Sequence, residues 1–203
     1  MKYTVKGLYT LFRLQILLLL IISAAGLVAA QAPLTDDASI ICWSDDDDHD
    51  DHDDYSAKDP MTESSWSGCG SSEKLKISSE SRVYLKYRLT PVLPVGTAGP
   101  TIEKATVKLF INNVTTAGAL DVFFAGGNWN EKTLKSGNAP PTGALVQANV
   151  PIQADKKGQF LVLDVTAAVQ QWLGSDGEGT GGLPNYGLIL VARNGLNAHF
   201  DSK

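Results

Sequence analysis

Between residues 74 and 200, apolar and polar side chains trade places at every second position, in short runs separated by Gly, Pro, Asn and Thr. A period of two belongs to a strand with one face in a core and the other in solvent. Lys74–Ile77 alternates in this way. Residues 82–89 do so cleanly, with Val83, Leu85, Tyr87 and Leu89 on one side and Arg82, Tyr84, Lys86 and Arg88 on the other. Val107, Leu109 and Ile111 mark a third run, and Leu120, Val122 and Phe124 a fourth beyond the turn Thr116-Ala117-Gly118. Residues 147–152 and 160–165 are further strands. Residues 187–192 are nearly all apolar, the mark of a central strand covered on both faces. With 39–43 and 198–200 the expected number is about nine.

One helix interrupts the strands. Val165, Val169 and Trp172 share a face, Asp164 or Thr166 is placed to cap its start, and Gly174 ends it. The Gly-rich stretch 175–184 is a loop. The expected fold is all-β, a jelly-roll-like sandwich with one short helix. Trp129 and Trp172 are expected in its core.

Residues 1–30 read as a signal peptide. Lys2, Lys6 and Arg13 precede an apolar run, and small residues lead to Val28-Ala29-Ala30, with the cut expected after Ala30. Left uncleaved, the same stretch is almost long enough to span a bilayer. Cleavage implies a secreted, extracellular chain with no membrane contact afterwards. Residues 31–203 then form a single domain. In an oxidising compartment Cys42 and Cys69 are expected to form a disulfide, the alternative being two free thiols.

Charge is unevenly spread. Residues 31–73 hold thirteen Asp/Glu and one Lys, whereas 74–203 hold nine Asp/Glu and thirteen Lys/Arg. The acidic part would repel phosphate, which argues against nucleic-acid binding. Its centre, 45–54, is eight Asp and two His, within an insert (44–68) expected to be disordered. Three readings stay open: a solvated loop; a weak divalent-cation binder using Asp45, Asp46, Asp47, Asp48, Asp50 and Asp51; or an electrostatic shield over a basic surface. Calcium is the cation such carboxylates suit, and no cofactor is required.

The matching stretches GSSEKLKI (70–77), RVYLKYRL (82–89), IEKATVKLFIN (102–112), TTAGALDVF (115–123), NWNEKT (128–133), NAPPTG (138–143), LDVTAAVQQWL (163–173), NYGLILVA (185–192) and FDSK (200–203) occur in one order. In that order the chain resembles the DNRLRE domain, a secreted β-sandwich module grouped with carbohydrate-binding module family 96. The resemblance implies attachment to polysaccharide-degrading systems, with acidic polysaccharide, notably alginate, bound by characterised relatives; it also reaches a disaggregatase-type enzyme. The chain departs from the family pattern at Arg88, where an acidic residue is usual, at Lys135-Ser136, and in its Asp-rich insert.

If Lys74–Ile77 and 82–89 form a hairpin, Lys74, Lys76, Arg82, Tyr84, Lys86 and Arg88 project from one sheet face. Five cations and a ring on adjacent strands suit a uronate polymer, with Tyr186 a further contact. The alternative is a solvated face kept soluble by its lysines and arginines. Asn113-Val114-Thr115 is an N-glycosylation sequon, relevant in a eukaryotic secretory pathway. No nucleophile-elbow or zinc-protease motif appears, so no enzyme is expected. The expected function is a noncatalytic module binding an acidic polysaccharide. The rivals are a structural cell-surface or matrix protein with a cation-binding acidic loop, and a fragment of a polysaccharide-degrading enzyme.

Overall fold

The computed structural model describes residues 30–41, 74–89, 92–175 and 181–201. All but the last residue of the expected signal peptide (1–30), both cysteines and the whole acidic insert with its six candidate Asp ligands lie outside the described residues. Nine strands follow one another: β1 (Leu34–Ile41), β2 (Lys74–Ile77), β3 (Ser81–Tyr87), β4 (Thr106–Thr116), β5 (Gly118–Ala125), β6 (Thr142–Ile152), β7 (Phe160–Asp164), β8 (Leu188–Arg193) and β9 (Asn197–Asp201). A single α-helix among the described residues, α1 (Thr166–Leu173), sits between β7 and β8.

The strands form two antiparallel sheets, of order β1-β3-β8-β5-β6 and β2-β9-β4-β7. Their facing sides make the core. Val83, Leu85, Leu120, Val122, Leu188 and Leu190 come from the first sheet, and Leu75, Ile77, Val107, Leu109, Ile111, Leu163 and Phe200 from the second. β8 lies centrally in its sheet and is covered on both faces, with Leu188 and Leu190 in the core and Ile189 buried on the outer side. A Cβ at Gly187, just before β8, would stand 2.1 Å from the Leu85 carbonyl oxygen, and the backbone there has φ of +89°. Only glycine fits both the conformation and the approach.

The helix adds Ala168, Val169, Trp172 and Leu173 to the core, with Trp172 edge-on to Phe124 at 5.8 Å. The cap position is held by Val165, with no side-chain cap bond, rather than by Asp164 or Thr166; the Asp164 carboxylate, one residue earlier, accepts from the Thr166 N–H (3.0 Å) and hydroxyl (2.7 Å).

The expected β2–β3 hairpin is not formed. β2 pairs with β9, whereas β3 pairs with β1 and β8 in the other sheet. The link is a tight arch closed by two bonds between the Ser78 and Ser81 backbones (3.2 and 3.3 Å), with the Ser81 hydroxyl donating to the Lys76 carbonyl (3.0 Å). Leu75 and Ile77 look across the core at Val83 and Leu85. The even-numbered side chains therefore leave in opposite directions.

Candidate functional site

That arch divides the six residues expected on one platform. Lys74 and Lys76 lie on the outer face of the four-stranded sheet, and Arg82, Tyr84 and Lys86 on the outer face of the five-stranded one. Arg88 follows β3, exposed, its N–H bonded to the Pro33 carbonyl.

The outer face of the five-stranded sheet is largely roofed. Residues 126–141 fold over it and bury Trp129 and Leu134 against Ala38, Ile40, Tyr84, Ala125 and Ile189. Tyr84, expected as a sugar platform, is 0% exposed. Its ring meets Trp129 edge-on at 5.7 Å, and its hydroxyl lies 3.4 Å from the Pro140 carbonyl. Lys86 is spent on the same roof: its ammonium lies 4.9 Å from the Trp129 ring centroid, bonds Asn128 Oδ1 at 3.0 Å and contacts the Trp129 carbonyl. Tyr186 packs against this cluster, and its carbonyl accepts from Trp129 Nε1 (2.8 Å). Glu131 ties the roof to β1 through the Asp37 N–H (3.2 Å). Further along, Arg193 grips Asp121 at 2.7 Å, and the Asn149 N–H donates to the same carboxylate at 2.7 Å. Burial alone would raise the Asp121 pKa, but Asn149 and Arg193 outweigh it and hold the carboxyl below its ordinary range.

Among the described residues nothing comparable covers the outer face of the four-stranded sheet. Lys74 stands across from Asp201 and Lys76 across from His199. On the other side of β9, His199 is across from Asn113, while the next pair inward is Phe200 with Ile111. One strand thus advances two residues while the other advances one. Asn112 is the extra residue of a β-bulge, and the bulge turns Asn113, which simple alternation would aim at the core, outward as well. Asn112 is held by a 3.0 Å bond from its Nδ2 to Asp201 Oδ1.

The turn before β7 is fastened to this point through Gly158 N–H to the Ile111 carbonyl (2.8 Å) and Ile111 N–H to the Gln159 carbonyl (2.9 Å). It brings Lys157 alongside. Lys74, Asn112, Asn113, Lys157 and His199 line a cleft of about 370 Å³. Beyond it on the same face, Phe110 and Phe160 pair edge-to-face at 5.3 Å, with Phe160 64% exposed, and Val162 and Lys108 are neighbours across β7 and β4.

His199 is half-buried. Loss of hydration, then the positive charges of Lys76 and Lys74, hold its imidazole below its usual pKa. The cleft offers cations for carboxylates and amide groups for hydroxyls, and Phe160 on the same face offers a ring for the apolar side of a sugar. Among the described residues no three His, Cys, Asp or Glu side chains are grouped to hold a metal ion. Sequence reasoning placed Lys74 and Lys76 outward but missed Asn112, Asn113 as a lining residue, Lys157, His199 and Phe160. The available signal was the alternation Asn197, His199, Asp201 outward against Ala198 and Phe200 inward. Nothing in the sequence marked the bulge or the β2–β9 pairing.

A two-sheet antiparallel sandwich with one roofed face and one open, polar, ring-bearing face has the build of a carbohydrate-binding module. Carbohydrate-binding module family 96 matches residues 59–203, and the chain belongs to that family. Neither a curated protein nor a solved structure matches the chain.

Proposed function

We propose that this carbohydrate-binding module is secreted and takes an acidic, uronate-type polysaccharide on the outer face of the four-stranded sheet. The observation that carries the reading is the cleft in which Lys74, Lys157 and His199 converge with two asparagine amides. Lys74 and Lys76 project from one strand about 7 Å apart, a spacing set by two residues of extended chain. Sugar carboxylates would take charge-assisted hydrogen bonds from the lysines, and the ring hydroxyls would bond Asn112 and Asn113. Phe160 gives the apolar side of a neighbouring sugar a surface to pack on. The leader read at 1–30 supports export.

Retention on an alginate-type affinity gel tests the assignment. Lys74→Gln with Lys157→Gln is expected to weaken binding at least about tenfold, and added salt to weaken the unaltered chain in the same sense. Arg82→Gln with Arg88→Gln, on the other side of the sandwich, is expected to change retention by less than about twofold. The reverse ranking would place the ligand elsewhere.

A further inference from the structure

His199 lines the cleft from β9, the strand between β2 and β4. Its charged and polar surroundings come from every side. β2 supplies Lys74 and Lys76, β4 supplies Asn112 and Asn113, the turn before β7 supplies Lys157, and β9 itself supplies Asp201 two residues on. Among the described residues of this set Asp201 is the carboxylate; it sits across from Lys74 and accepts from Asn112 Nδ2. An imidazole among three ammonium groups gains little by adding a fourth positive charge. A carboxylate entering the cleft reverses that balance, because it lies against the same cations and the same ring.

We propose that His199 is the proton-linked ligand contact of this cleft: an anionic sugar draws a proton onto the imidazole, so the module holds anionic glycan more tightly as the pH falls below neutrality. The inference rests on the binding face assigned above and adds to it the residue that makes binding pH-dependent. By linkage, a ligand that binds the protonated form better must raise the affinity for the proton by the same factor. The free chain, with its imidazole pKa depressed by burial and by Lys76 and Lys74, starts neutral near pH 7, so the proton is taken up on binding. A neutral glycan lacks the charge that drives the uptake, so His199 also helps the cleft tell uronates from neutral sugars.

The test is calorimetry of the full mature chain with oligomannuronate of defined length. Constant ionic strength, at least two pH values, and two buffers of different ionisation enthalpy are used. The expected result is affinity rising up to about tenfold between about pH 7.5 and about pH 5.5, with net proton uptake on binding, since one unit of pKa change corresponds to a factor of ten. In His199→Gln and in His199→Lys, checked for native melting behaviour, both the slope and the uptake are expected to vanish. NMR of the imidazole of the free chain, and again with oligomannuronate present, should show its titration midpoint moving up. Binding without a pH slope, or a slope that survives in both variants, overturns the role of His199 and leaves the polyuronate assignment standing. No binding of the unaltered chain at any pH overturns the assignment itself and the inference with it.

Discussion

The outer faces of β3 and β2 carry similar side chains, Arg82, Tyr84 and Lys86 on one and Lys74 and Lys76 on the other, yet one is mostly covered and the other open. The difference comes from residues far away in sequence. Trp129 and Leu134, in the loop between β5 and β6, settle on Tyr84 and turn the polar side of β3 into a second small core. No comparable loop lies over Lys74, Lys76 and His199 among the described residues. A strand with outward-facing basic side chains is therefore a seat for a lid in one sheet and part of a candidate ligand platform in the other. The alternation is identical, and the covering decides.

Three substitutions probe that contrast. The largest effect is expected on the covered face. Trp129 is 6% exposed, meets Tyr84 edge-on, lies beneath the Lys86 ammonium and donates to the Tyr186 carbonyl. Trp129→Ala should cost about 3–5 kcal/mol, as other large buried aromatics do. That corresponds to a fall in melting temperature of roughly 10 °C for a domain of this size. A loss below about 1 kcal/mol in chemical denaturation would mean that the loop rests on the sheet without stabilising it.

A smaller effect is expected where the roof ends. Arg193→Met leaves the Asp121 carboxylate with the Asn149 N–H but without its charge partner, and should cost about 1–2 kcal/mol at neutral pH. The pH dependence follows from the sign of the shift. A carboxyl whose folded-state pKa is depressed adds stability above its unfolded pKa and loses it as the pH falls through the folded value. In the unaltered chain that loss runs from the ordinary carboxylate range down to the lowered folded value. In Arg193→Met the folded value moves up towards the unfolded one, so the acid loss due to Asp121 should be smaller and complete at higher pH, which acid unfolding curves of the two proteins would reveal. Superimposable curves would show that Arg193 contributes nothing to the Asp121 titration.

The smallest change in stability is expected on the open face. Phe160→Ala removes a ring that is mostly in solvent, so stability should shift by less than about 0.5 kcal/mol. Its affinity for an oligouronate should nevertheless fall a few-fold, through lost ring packing. Stability and binding thus move oppositely for Trp129 and Phe160. A Phe160 variant that unfolds early but binds normally would dissolve the distinction.

Much of the fold was legible because period two reports burial directly. The strands, the helix with Val165, Val169 and Trp172, and the two buried tryptophans all follow from which side chains avoid water. The pairing partners were not legible. A hairpin and an arch both send Leu75, Ile77, Val83 and Leu85 inward, so Ser78–Ser81 reads the same whether the chain stays in its sheet or crosses to the other. The bulge at Asn112 was equally silent, since one extra residue changes the direction of Asn113 without changing the composition around it. The family motif at 128–133 was visible, but its role as a roof over Tyr84 depends on contacts made across more than forty residues.

The central place of β9 in the four-stranded sheet also bears on how the protein is made. Among the described residues β2 has its only strand partner in β9, about 120 residues later in the chain. At ribosomal speed that is a wait on the order of ten seconds. During it, Leu75 and Ile77 have no ladder to join, and a bare apolar strand invites pairing with a stranger. Lys74 and Lys76, alternating with them, act as gatekeepers in that interval. The same two ammonium groups would guard the nascent chain before they hold a sugar acid, and a variant that neutralises both should be watched for its yield as well as its affinity.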